Sequence, residues 1–178
     1  MSIVIEKIRK TREYLDYIEE HYNNVQKAWR MVQKTCKNMD FMNDDLILLT
    51  IDYDIRLHDL SKLGHNEFIS YREEYFAVDD EIKTGNIKKA WKHHKKVNKH
   101  HFENWTKYPS CHPHAKIVYC VHMVVDWIAM SLKFKKNARH YYNDNIDETK
   151  LPDWAILFIN EIFDAVYGKV EEEILKKE

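Results

Sequence analysis

Residue types that bind divalent cations recur at four places along the chain. They are His21, the adjacent pair His58 and Asp59, the four histidines His93, His94, His100 and His101, and Asp126. Imidazole nitrogens and carboxylate oxygens are ligands that transition metals use in proteins. A carboxylate buried without a partner is costly, so a cation or a hydrogen-bond network is expected beside it. The pattern predicts a metal site if folding brings these groups together.

The elements that must position these groups are predicted to be helices. Apolar residues at helical spacing predict a first helix from about residue 9 to 36, and His21 falls on its apolar stripe and therefore points inward. Asp44 has the type and place of an N-cap for an apolar helix that ends in the His58–Asp59 pair. Gly64 suits the end of that helix.

Four later helices are predicted, of which the first is a short amphipathic helix from residue 66 to 76. One from about residue 87 to 105 carries the four histidines, and its period places His94, Asn98 and His101 on one face. A nearly apolar helix from about residue 114 to 136 has Asp126 in its middle and His122 one turn earlier. The polar segment 141–145 is expected to end it, and a last helix is expected from about residue 152 to 177.

Length and composition bound the fold. The chain has 178 residues, of which 44% are hydrophobic, and only three glycines and three prolines. This length suits one domain, residues 1–178, with a substantial core, and so few turn-forming residues disfavour a fold of many strands. The sequence predicts an all-α bundle of about six to seven helices.

Charge and cysteine content indicate which partners and which cellular location to expect. The net charge of −1 gives no overall field that would favour nucleic acid, although the segment 88–101 is locally basic. Three cysteines do not form a disulfide framework, and Cys111, His112 and His114 are only a weak zinc-site candidate. The most apolar segment, 117–132, is expected to be too short to span a bilayer. We expect a cytoplasmic protein with no membrane partner.

The order of these residues resembles a known superfamily. His21, then His58–Asp59, then Asp126 on successive helices resembles the H…HD…D pattern of the HD superfamily of metal-dependent phosphohydrolases. The gaps of 37 and 67 residues are similar to those of its compact members, such as the bacterial 5′-deoxynucleotidases. The resemblance spans residues 14–132. The strings at 58–62, 90–105 and 124–134 also resemble an uncharacterised family of small phage and bacterial proteins.

The resemblance implies an HD-like helical bundle and a set of metal ligands. His21, His58, Asp59 and Asp126 would hold a first divalent ion, and His94 with His101 would hold a second that Asp59 bridges. One or two ions of Mn, Fe, Co, Ni or Zn are implied. Whether His93, His100 or His122 replaces His94 or His101 as a ligand stays open.

The resemblance also implies a substrate and roles around it. The substrate would be a small phosphorylated compound, such as a nucleotide. The implied catalytic residues are Asp59, Lys62 and Glu67, and the implied substrate-binding residues are Lys62, Lys95, Asn98 and Lys99. Compact nucleotidases have a glutamate where this chain has Lys62, whereas Glu67 matches their second acid. Compact members often pair through helices, which implies a homodimer.

Two other functions compete with a phosphohydrolase. Extra histidines between the His-Asp pair and the last aspartate also resemble the inositol-cleaving di-iron oxygenase of the same superfamily. A third interpretation is a non-catalytic module whose basic, histidine-rich helix binds nucleic acid or a signalling nucleotide. Metal identity and dioxygen consumption distinguish the oxygenase, and salt-sensitive binding that survives chelation distinguishes the module.

Overall fold

The computed structural model describes residues 2–79, 81–106 and 112–169, and within these ranges it is all-helical with no strand. The seven α-helices are α1 (Ile3–Thr35), α2 (Asp45–Arg56), α3 (Phe68–Tyr75), α4 (Ile87–Val97), α5 (Pro113–Phe134), α6 (Ala138–Thr149) and α7 (Asp153–Tyr167). Short 3₁₀ helices lie at Asp40–Asn43, Leu60–Leu63 and Phe102–Asn104. The predicted fold class, all-α, is confirmed.

Helix α5 is at the centre of the molecule because it is apolar on nearly every side. It packs against α1, α2, α6 and α7, and its Val121, Val125 and Ile128 are fully buried. A smaller apolar cluster around Tyr14 and Tyr71 fixes α3 and α4 to the N-terminal half of α1. The polar residues of α1, α4 and α5 that face inward therefore meet between the two clusters.

Helix α5 is also longer than its most apolar segment. At 22 residues it is long and apolar enough, by length and composition alone, to cross a membrane, so the expectation that it is too short was wrong. Of its most apolar window, 56% is buried inside the protein, as in a core helix. A cytoplasmic location is compatible with this finding and stays a prediction.

Helix α2 begins where predicted and ends earlier. The Asp44 carboxylate accepts hydrogen bonds from the Leu46 and Ile47 amides at 3.0 Å, which caps α2. The helix ends at Arg56, so His58 and Asp59 lie in the turn that follows it and not at its end as predicted. Asp59 takes the left-handed conformation, with φ of 53°, and reverses the chain into the Leu60–Leu63 turn.

Helix α4 also ends before its predicted boundary. It stops at Val97, and Asn98 takes an extended conformation. The side-chain Nδ2 of Asn98 holds it there by donating to the His94 carbonyl (3.0 Å) and to Ser61 Oγ (2.8 Å). The prediction that His94 and His101 share one helix face was therefore wrong. His100 and His101 lie in the turn after α4.

The C-terminal part differs from its prediction as well. The segment 141–145 lies inside α6 and does not end the preceding helix as predicted, because α5 already ends at Phe134. Helix α7 ends at Tyr167, and the expected continuation to residue 177 falls largely outside the described residues. Cys111, part of the weak zinc candidate, lies outside them too, whereas Cys36 and Cys120 are buried free thiols.

Candidate metal centre

Five segments bring eight polar side chains to one place. The residues are His21 on α1, His58 and Asp59 after α2, His94 on α4, His100 and His101 after it, and His122 and Asp126 on α5. Six of the eight, all but His101 and Asp126, are at most 6% exposed. The burial of so many imidazole and carboxylate groups at the junction of the helices needs a physical explanation.

One group of atoms surrounds one oxygen of each aspartate. His21 Nε2 and His58 Nε2 lie 2.9 Å apart. Asp59 Oδ2 is 3.8 Å from the first nitrogen and 3.3 Å from the second. Asp126 Oδ1 is 3.3 Å and 3.7 Å from the same two atoms. Two nitrogens and two oxygens thus converge from three segments.

A second group surrounds the other oxygen of Asp59. His94 Nε2 lies 3.4 Å from Asp59 Oδ1, and His100 Nε2 lies 3.8 Å from it. His94, His100 and His101 each offer a ring nitrogen within 4.8 Å of the others. The Asp59 carboxylate therefore directs one oxygen toward each group of histidines.

Four of the buried atoms that lack hydrogen-bond partners fit a bound cation. Asp59 Oδ1, Asp126 Oδ1, His100 Nε2 and His101 Nε2 are buried and have no hydrogen-bond partner in the described structure. Leaving such atoms unsatisfied costs about 1–3 kcal/mol each. Divalent transition metal ions, one in each group, would satisfy all four, and mixed imidazole and carboxylate donors are those that Mn, Fe, Co, Ni and Zn accept. The site can hold metal.

The protonation states suit the same role. Burial lowers the pKa of His101 to about 4 and of His122 to about 3, and it lowers that of His100 as well, so these imidazoles are neutral near pH 7. Burial by itself raises the pKa of Asp59, but His58 and Lys62 outweigh it and hold that pKa below its usual value. Neutral imidazoles and an ionised carboxylate are the metal-binding forms.

His122 lies on the far side of His58. Its Nε2 is 2.9 Å from His58 Nδ1, the ring nitrogen that faces away from His21. This is the position from which a second group fixes the orientation of a metal-binding imidazole. His58, His100 and His122 also form a compact group of their own.

Glu67 lies behind the second group of histidines. Its side chain is fully buried, and its two oxygens pair with His93 Nδ1 at 2.7 Å and His94 Nδ1 at 2.9 Å. Burial by itself raises the pKa of Glu67, but these hydrogen bonds outweigh it and lower the pKa. Glu67 lines neither of the two cavities at the site, and it contacts His93 and His94.

A cavity of about 600 Å³ opens onto both groups of histidines. At its inner end are His21, Asp59, His94, His100, His101 and Asp126, and its outer wall includes Trp91, Trp127, Met130, Phe134 and Tyr141. The wall is mostly apolar and aromatic. Small molecules bind in cavities of this size and character.

The predicted substrate-binding residues are placed unequally. Lys62 lines the cavity, and its Nζ lies 2.7 Å from Asp59 Oδ2. Lys95 also lines it and pairs with Glu103 at 2.7 Å. Asn98 lies behind His94, and Lys99 is exposed away from the cavity.

Two histidines at the site, His100 and His122, had been left open as alternative ligands. His100 approaches Asp59 because α4 ends before it. His100 and His101 are adjacent in the sequence, and the sequence pattern did not indicate which of the two would lie near Asp59. His122 was detectable as the residue one turn before Asp126 on the apolar helix.

A family model matches residues 10–165 of the chain, which is most of its length. That model is DUF5662, described as a family of unknown function. None of the curated proteins and none of the solved structures matches the chain.

Proposed function

The chain belongs to the DUF5662 family, and since that family has no assigned activity, we propose from the site itself that this protein is a metal-dependent phosphohydrolase of the HD type. The observation that carries the proposal is the Asp59 carboxylate. Its Oδ2 faces His21 and His58, and its Oδ1 faces His94 and His100. A carboxylate shared in this way fits two neighbouring cations.

The residues divide between two ions. His21, His58, Asp59 and Asp126 would hold one, and Asp59, His94 and His100 would hold the other, with His101 close enough to join. When bound, such a pair of ions polarises a phosphoryl oxygen and activates a water molecule for attack on phosphorus. Glu67 and His122 orient two of the imidazoles through their other ring nitrogens.

Lys62 supports an anionic substrate such as a phosphate ester over a neutral compound. Its ammonium group is buried between Asp59 and the cavity, and the Asp59 carboxylate raises its pKa, although burial alone lowers it. Lys62 is therefore a fixed positive charge at the inner end of the cavity. A point charge there attracts the non-bridging oxygens of a phosphate.

The test combines metal content with activity. Purified protein should contain one to two equivalents of a transition metal, and the metal-loaded protein should hydrolyse 4-nitrophenyl phosphate or its diester. Asp59→Asn should lose the metal and the activity together, whereas Asp153→Asn on the exposed start of α7 should keep both. Stoichiometric metal without hydrolysis of any phosphoester would contradict the proposal.

The same donor set also suits iron, which keeps a di-iron oxygenase as the second candidate. An iron-loaded protein that consumes dioxygen and leaves phosphoesters intact would establish that function instead.

A further inference from the structure

A second cavity reaches the same centre from another side. It has a volume of about 380 Å³ and lies between α1 and the turn that follows α2. Its walls include Leu15, Ile18, Leu60, Leu63 and Arg56. His21, Asp59 and Lys62 line both this cavity and the larger one. The centre is therefore accessible from two sides through cavities with separate walls.

The two cavities have the same general chemistry. Both are mainly apolar, the larger with aromatic side chains such as Trp127 and Tyr141, and the smaller with aliphatic ones. Each suits an organic group better than a second highly charged phosphate.

A phosphomonoester carries one organic group on its phosphorus, so one cavity would accommodate it. A phosphodiester carries two, and both must be housed when the phosphorus lies at the metal ligands. We propose that the substrate is a phosphodiester, with one ester group in each cavity and the phosphorus beside Asp59 and Lys62. This inference rests on the proposed phosphohydrolase function.

The reaction balances as a hydrolysis. A water oxygen forms a bond to phosphorus and one ester P–O bond breaks. The departing alkoxide takes one proton of the water, and the second proton goes to solvent. The products are one alcohol and one phosphomonoester.

Filling the smaller cavity tests the proposal. Leu15 and Leu63 are 42% and 50% exposed and line only that cavity, so Leu15→Trp and Leu63→Trp should fold and obstruct it. Leu49→Trp is the matched control, because Leu49 is 70% exposed and lines neither cavity. Circular dichroism verifies that each variant is folded.

Binding and turnover are both measured on metal-loaded protein. Calorimetry should show that dibenzyl phosphate binds about tenfold more tightly than benzyl phosphate, because a second ring is buried. Both Trp variants should remove that difference, and Leu49→Trp should preserve it. The kcat/KM for bis(4-nitrophenyl) phosphate should fall more in the Trp variants than that for 4-nitrophenyl phosphate, and Leu49→Trp should leave both values unchanged.

Equal affinity for the two benzyl compounds, or an equal effect of the Trp variants on mono- and diester, would overturn the diester assignment. Tighter binding of the dibenzyl compound with no turnover of either ester would instead overturn the hydrolase function and leave the two-sided site standing.

Discussion

The sharing of Asp59 between two groups of histidines predicts how many ions each variant loses. Asp59→Asn should lose both ions, because each ion depends on one of its oxygens. His94→Gln should lose one ion. Of the two Asp59 oxygens, His94 Nε2 contacts only Oδ1, so His94 belongs to one ion alone. The two variants therefore differ in metal stoichiometry and not merely in affinity.

The effect on stability can be estimated. An ion present at 100 times its Kd stabilises the folded state by about 2.7 kcal/mol, which in a domain of this length raises Tm by roughly 5–11 °C. Wild-type protein stripped of metal and then loaded should gain roughly twice that increase, and His94→Gln should gain it once. Asp59→Asn should gain almost nothing.

The choice of substitution matters at residue 59. Asp59 has a φ of 53°, a conformation that asparagine tolerates and that costs alanine about 1–2 kcal/mol. Asp59→Asn therefore removes the ligand charge with little added backbone strain. His140→Gln on the exposed side of α6 is the matched control for His94→Gln.

Scanning calorimetry with and without Mn²⁺, followed by elemental analysis after desalting, measures both quantities. Retention of one full equivalent by Asp59→Asn would refute the shared carboxylate. Loss of both equivalents in His94→Gln, with the apo protein still folded, would refute the division of ligands between two ions.

Two further predictions concern Glu67 at the site and the ion pair of Glu81 with Arg72, which lies on α3. Glu67→Gln should weaken the ion held by His94 by about 10- to 100-fold and leave the other ion unchanged, as isothermal titration measures; native affinity with slowed turnover would instead assign Glu67 to catalysis. The second concerns Glu81, whose carboxylate accepts hydrogen bonds from both terminal nitrogens of Arg72, at 2.6 and 2.7 Å. These hydrogen bonds hold the pKa of Glu81 well below 4.5, because they outweigh the effect of burial, which raises it. The pair should therefore stabilise the fold fully above about pH 4.5 and progressively less as the pH falls. In urea unfolding, the free energy of unfolding should fall less for Glu81→Gln than for wild type between pH 5 and pH 3. Equal losses in the two proteins would contradict the role of this ion pair.

Helical periodicity was sufficient where a residue lay inside a helix. His21 falls on the apolar stripe of α1, and Asp126 lies in the apolar centre of α5, so both were predicted to face inward, and both contact the centre. Their direction depends only on local spacing and on which face is apolar. Sequence pattern carries that information directly.

The residues in turns were placed less well, because distant contacts decide where a helix ends. Helix α4 stops at Val97 because Asn98 bonds to Ser61, which is 37 residues earlier in the chain. No local pattern contains that contact, so the predicted helix ran on to residue 105 and gave His100 and His101 the wrong faces. Asp59 was also placed wrongly, at the end of α2. It lies in the turn after that helix, where its left-handed conformation directs its carboxylate toward His94 on α4.

At the centre, the helices of the bundle meet through polar groups. Helices α1 and α5 pack through apolar residues along most of their length, yet at His21 and Asp126 they meet through polar groups, and the turn after α2 and helix α4 join them there. Without cations, five buried atoms of the centre, the four named above and His21 Nδ1, lack hydrogen-bond partners in the described structure, and Lys62 pairs with only one of the two carboxylates, that of Asp59. With cations, the proposed ligands would connect all five segments that contribute to the centre. Metal binding should therefore stabilise the contact of α4 with the rest of the bundle more than that of α7, and hydrogen exchange of the two helices with and without Mn²⁺ would measure the difference.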